Sequence, residues 1–272
     1  MGVPGGVRRV VAVLLAAGWL SGAIADVPRI AVIIDDLGYL AVNDHDVLSL
    51  DRRIGVAIIP DGPLAPELSR RAADQQRDIL IHLPLSGVNH DNCEFAATCV
   101  DPEWSPARMA DHLRWAVGRV DRAVGINNHQ GSRFTSDDEA VRRLVAGITL
   151  LERIDGVDLF VVDSRTTPRS RLKKQARQAG LATARRHVFL DHDRSPEAIE
   201  SAWQQLLDQA RQRGFAIAIG HPHRQTIEFL GQAVEKLGQE DVELVPVSRL
   251  LRPRKTPEPI KHAEQGLPLT LP

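Results

Sequence analysis

The chain has 272 residues, with 34 Lys and Arg against 35 Asp and Glu and a formal net charge of −1. That balance argues against nucleic acid and against an anionic membrane surface as electrostatic partners, and it suits a neutral polymer such as a glycan. The length allows a single α/β domain with a sizeable core.

The first element is a basic start, Arg8 and Arg9, followed by an apolar run from Val10 to Leu20 and the triplet Ala23-Ile24-Ala25. The run is short for a bilayer crossing and the triplet is a small-x-small cleavage pattern. Residues 1–25 therefore read as a cleaved signal peptide, with Asp26 first in the mature chain. An uncleaved anchor is the alternative. Export would make the protein periplasmic or secreted. After cleavage no transmembrane anchor is expected, because no later segment offers about 18 consecutive apolar residues. In an oxidising compartment Cys93 and Cys99, with five residues between them, are expected to close a local disulfide loop.

Nearly continuous apolar runs then alternate with helical patterns. Strands are predicted over 30–34, 54–59, 78–81, 123–126, 157–162, 187–190, 215–219 and 242–245, in the manner of parallel strands covered on both faces. Ser136-Asp137-Asp138-Glu139 has the form of a capping box, and Ser195-Pro196 that of a helix start. Gly180 and Gly214 stand where helices should stop. The repeat predicts a βα barrel or an open doubly wound sheet over residues 26–251. Residues 252–272, rich in Pro and charge, read as a disordered tail.

Polar residues recur where one apolar run after another ends. The first runs into Asp35-Asp36, the second into Pro60-Asp61, the third into His82 and the fourth into Asn127-Asn128-His129. Later runs end at Asp163, Asp191 and His221. In a barrel these ends converge on one face, and an open sheet would build its site at the same end. Asp35 and Asp36 would point opposite ways on a regular strand. A turn beginning there, helped by Gly38, would let one bind a metal while the other meets a water. Carboxylate plus imidazole with an open position is a zinc-like catalytic set.

At these positions the sequence resembles the divergent polysaccharide deacetylases. The resemblance is carried by Ile33-Ile34-Asp35-Asp36-Leu37-Gly38, Ile81-His82-Leu83-Pro84-Leu85 and Asn127-Asn128-His129-Gln130-Gly131-Ser132. It continues through Val162-Asp163-Ser164-Arg165-Thr166-Thr167, Val188-Phe189-Leu190-Asp191 and Ile219-Gly220-His221-Pro222. It implies a distorted (β/α) barrel of seven or eight mostly parallel strands and a divalent metal, most simply zinc. By motif, Asp36 resembles the metal-binding Asp, Asp35 the general base, His129 the first metal His and His221 the general acid. The usual second metal His is absent, since Ser132, Arg133 and Phe134 occupy its region, and His82 is the candidate replacement. Asp163 and Arg165 are expected to orient His221 or bind substrate, and Asn128, Ser132 and Asp191 to contact substrate. Leu85-Ser86 stands where the family usually carries Met-Glu.

The function expected from this set is metal-assisted removal of acyl groups, N-acetyl above all, from an envelope or extracellular polysaccharide such as a peptidoglycan-type glycan. The rival is a non-catalytic carbohydrate-binding or envelope-interaction protein on the same fold. The metal discriminates between them. An aromatic content of 4% supplies no evident row of sugar-stacking platforms.

Overall fold

The computed structural model describes residues 2, 27–88 and 99–251. The expected signal peptide and tail lie outside the described residues, as does Cys93, while Cys99 is disulfide-bonded.

The first strand, β1 (Arg29–Leu37), shows how the fold is written. Ile30, Val32 and Ile34 face the larger core cluster, beneath the helices. Ala31 and Ile33 face a second cluster. A strand buried on both faces has no polar face to alternate with, which is why its sequence is almost unbrokenly apolar. The same division holds in β2 (Gly55–Ile58), β3 (Ile79–Leu85), β5 (Phe160–Asp163) and β8 (Phe215–Gly220). The second cluster holds Ala57, Leu80, Phe160, Val162, Ile217 and Ile219 and fills the inside of the sheet. Between β3 and β5 lies β4 (Gly125–Gln130).

Every pairing is parallel. The sheet runs in the order β6-β5-β4-β3-β2-β1-β8-β7, with β9 (Glu243–Leu244) added on β1. Its two edges, β6 (Thr183–Arg185) and β7 (Val188–Phe189), belong to one extended stretch. Between them the Arg186 amide bonds to Asp163 and the His187 amide to Ile217. One segment thus passes from β5 to β8 and curls the sheet into a distorted (β/α) barrel. The prediction had only its second half, as 187–190.

Helices α1 (Ala41–Val47), α2 (Ala65–Asp74), α3 (Pro106–Arg119), α4 (Asp138–Leu150), α5 (Leu172–Gln178), α6 (Pro196–Arg213) and α7 (Arg224–Lys236) connect the strands. Gly180 (φ 83°) and Gly214 (φ 81°) do stop α5 and α6 in the left-handed region. The cap of α4 is Asp137, accepting from the amides of Glu139 and Ala140; the Ser136 hydroxyl instead donates to the Ser132 carbonyl. The last helix, α8 (Val247–Leu251), sets Val247, Leu250 and Leu251 against the inner cluster and stops that end of the barrel. No helix among the described residues is long and apolar enough to cross a membrane.

Candidate active site

At the opposite end the inward positions turn polar. β3 and β4 run further than predicted, so His82 lies inside β3 and Asn127 to His129 inside β4 rather than beyond their ends. The register sets His82 beside Asn127 and Pro84 beside His129. His82, Asn128 and His129, with the ends of β1, β5, β7 and β8, line an open cleft of about 510 Å³.

Asp35 continues the inward face of Ala31 and Ile33. On a regular strand Asp36 would point away, but its φ is +64° and the β1–β2 register slips between Ile34 and Leu37. The irregular backbone brings both carboxylates into the cleft. A left-handed conformation at a side-chain-bearing residue costs roughly 1 kcal/mol and persists where its surroundings enforce it. Those surroundings are buried Asp44, whose Oδ2 accepts from the amides of Gly38 and Leu40, and the Gly38–Gly62 approach. A Cβ on Gly62 would lie 2.6 Å from the Gly38 oxygen, so two loops meet there only as glycines. Gln130 (φ 54°) and Arg165 (φ 52°) line the same cleft.

Asp36, His82 and His129 meet. Asp36 Oδ1 is 3.0 Å from His82 Nε2 and 2.8 Å from His129 Nδ1, and the two nitrogens are 3.1 Å apart. Donors about 2.0–2.2 Å from a shared ion lie no more than about 4 Å apart, so the three fit one divalent metal. The tautomer also fits. The Asn127 amide donates to Asp35 Oδ1 at 2.8 Å, which turns its oxygen toward His82 Nδ1 at 2.9 Å. His82 then carries its proton on Nδ1 and presents the Nε2 lone pair to Asp36 and His129. Crowded lone pairs of this kind repel unless a proton or a cation sits among them.

Charge follows the same pattern. Burial pushes the Asp35 carboxyl up, against the lowering pull of His82 and His221. Burial also acts on Asp36, but hydrogen bonds from His129 and His82 outweigh it and hold that carboxyl well below the usual range. His82 is pushed up to about 9: burial opposes the rise, and the Asp35 charge and the Asp36 hydrogen bond overcome it.

His221 stands beside this group, its Nε2 3.9 Å from Asp36 Oδ2. Its Nδ1 is 2.9 Å from Asp191 Oδ1, and its backbone amide and the Thr226 hydroxyl both donate to Asp191 Oδ2. Burial lowers the His221 pKa, but the Asp191 hydrogen bond and the Asp35 and Asp36 charges raise it overall. Asp191, His221 and His223 form a second group at metal-ligand spacing. The Asp191 oxygens, however, are engaged by those three hydrogen bonds.

The other expected site residues are placed as follows. Asp191, expected at the substrate, has a fully buried side chain that orients His221. Asp163 does not reach His221. Its oxygens accept from the Arg165 amide, the Ser170 hydroxyl and, at 3.5 Å, the Lys173 amide, so it shapes the turn after β5. Ser132 Oγ accepts from the Val88 amide outside the cleft lining. Asn128 lines the cleft, yet its amide donates to the Gln130 carbonyl and accepts from the Ser164 amide, tying β4 to the β5 turn. Arg165 does line the cleft. The sequence reading passed over Asn127. It also passed over Arg186, which stacks on Phe189 at 4.7 Å and donates to the carbonyls of Ser164 and Arg165.

The chain has close relatives. It is 34% identical over 242 residues to the uncharacterized protein YibQ of Escherichia coli, covering 88% of this chain and 73% of that protein. It is 35% identical over 231 residues to an uncharacterized protein of Haemophilus influenzae, covering 85% and 79%. The crystal structure of an uncharacterized protein from Agrobacterium tumefaciens shares the fold, with a TM-score of 0.76 at 18% identity over 84% of this chain and 91% of that one. The family model of the divergent polysaccharide deacetylases matches residues 32–251, from within β1 to the end of α8. With every cleft residue inside that match, and every strand but the first three residues of β1, the chain belongs to the divergent polysaccharide deacetylase family.

Proposed function

We propose that the protein is a metal-dependent hydrolase that removes acyl groups, N-acetyl in the first instance, from a polysaccharide. The observation that carries this reading is the meeting of Asp36, His82 and His129, with a buried carboxylate and an Asp–His pair on either side. Those three residues would hold a divalent ion, and a mixed nitrogen and oxygen set suits zinc. Bound there, such an ion supplies Lewis acidity toward an acyl oxygen and toward water.

The protein's own groups divide the proton work. Asp35, its carboxyl raised by burial and held by Asn127, takes a proton from the attacking water. His221 Nε2 gives a proton to the departing amine as the C–N bond breaks, while Asp191 holds the ring by Nδ1. Water is consumed, and a carboxylate and an amine leave. Purified protein is expected to release acetate from N-acetylated glycan oligomers, and His221→Ala to lose about 10²-fold or more of that rate. Full activity in that variant would overturn the assignment.

We place the reaction outside the cytoplasm, on the strength of residues 1–25. N-terminal sequencing of the exported protein should begin at Asp26, and a chain beginning at Met1 would contradict export.

A further inference from the structure

The near-neutral net charge hides a local imbalance. Between Asp163 and Asp191 the sequence carries eight Lys and Arg and no Asp or Glu. The fold gathers five of the eight, Arg165, Lys173, Lys174, Arg177 and Arg185, around one pocket of about 340 Å³. Asp163 is the single carboxylate on its wall, and its oxygens are engaged by the Arg165 and Lys173 amides and the Ser170 hydroxyl. Elsewhere Arg53 pairs with Asp51, Arg114 with Asp155 and Arg211 with Glu240 and Asp241. None of the five pocket cations forms an ion pair among the described residues. Five like charges collected in a concave wall against a single carboxylate are mutually repulsive, and an anion relieves that repulsion. The Lys173 ammonium is accordingly pushed down, by burial first and then by Arg185 and Arg177.

Arg165 joins this pocket to the catalytic cleft, because it lines both. Its backbone is fixed in the left-handed region, its amide donating to Asp163 and its carbonyl accepting from Arg186. A ligand with its acyl group in the cleft would extend past Arg165 into the pocket.

We infer that the pocket is a subsite for a negatively charged group, carboxylate or phosphate, carried by the same glycan whose acyl group occupies the cleft. The inference rests on the deacetylase reading and deepens it: the substrate is an acidic polysaccharide rather than a neutral one.

Binding of oligosaccharides to the full exported chain, followed by calorimetry, tests this without any turnover. The probes are a galacturonic acid hexamer, the same hexamer carrying phosphate in place of carboxylate, an N-acetylglucosamine hexamer and a single-stranded DNA of matched charge. Either acidic hexamer is expected to bind at least about tenfold more tightly than the neutral one at about 50 mM salt, and to lose most of that advantage at about 300 mM. Which acidic hexamer binds better identifies the anionic group. Lys174→Ala/Arg177→Ala, at exposed positions, should abolish the advantage and leave the circular dichroism spectrum unchanged. Equal affinity for acidic and neutral hexamers, or no binding of either acidic one, overturns the inference. So does an acidic preference that survives the double variant, or DNA binding as tight as the acidic glycans. Acidic binding that passes these tests in a protein that releases no acetate from N-acetylated oligomers, acidic or neutral, would instead count against the hydrolase and leave the pocket standing.

Discussion

Asn127 connects Asp35 to the Asp36–His82–His129 group: one amide proton bonds Asp35 and its oxygen accepts the Nδ1 proton of His82. Asn127→Ala should therefore weaken metal binding by about 10–100-fold, the usual cost of removing the partner that fixes a ligand's tautomer. It should also lower the acyl-release rate at saturating metal. Metal titration followed by steady-state kinetics separates the two, and unchanged values in both would refute the coupling. Asp191→Asn should retain the metal and slow the reaction, because it leaves His221 without its anionic partner. These residues show what the sequence could and could not say. The parity of each strand was legible. Leu80 and His82 share the inner face, as do Gly125, Asn127 and His129, whereas Asp163 follows inward Val162 and must face outward. Counting polar residues at strand ends treats Asp163 and Asn128 like their inward neighbours, a distinction that alternation carries. Which hydrogen bonds a buried carboxylate such as Asp191 makes depends on distant residues, here Thr226, and no local pattern carries that.

Among the elements, β4 and β5 approach each other closely inside the barrel. Gly125 lies against the ring of fully buried Phe160, and a Cβ there would overlap that ring. Gly125→Ala is expected to destabilise the fold by about 1–3 kcal/mol, the usual range for overpacking a filled core. Denaturant unfolding would show a lower midpoint at unchanged slope, and an unchanged midpoint would argue against the packing described. The strand pattern itself was largely legible, because strands covered on both faces leave long apolar runs. β6 was missed for an equally physical reason: Thr183–Arg185 is short, and of its residues only Ala184 is buried. The extension of β3 and β4 through polar residues was also invisible, since a polar residue inside a barrel mouth reads in sequence as the end of a strand.

For the whole molecule, two neutral histidines contribute to the pH dependence of stability. His112 packs against Trp104 and Trp115, and burial pushes it down to about 4. His187 is likewise pushed down to about 4, by burial and then by Arg213, Arg185, Lys173 and Arg165. Unfolded, each would take a proton near pH 6.5. The stability they contribute is therefore complete above about pH 6.5 and is lost as pH falls toward about 4, on the order of 1 kcal/mol each after solvent screening. Thermal unfolding across that window should show the fall, and His112→Phe should reduce it. A variant that keeps the full slope would exclude His112 as a source. The central claim, however, is the metal group at the barrel mouth, and titration of the metal-free full chain with zinc tests it most directly. The account predicts about one ion per chain and a higher melting temperature on loading. It further predicts loss of about 100-fold or more in affinity in each of Asp36→Ala, His82→Ala and His129→Ala, with His221→Ala still binding. A folded chain that takes up no divalent ion, or one that keeps its ion in His82→Ala and loses it in His221→Ala, would contradict it.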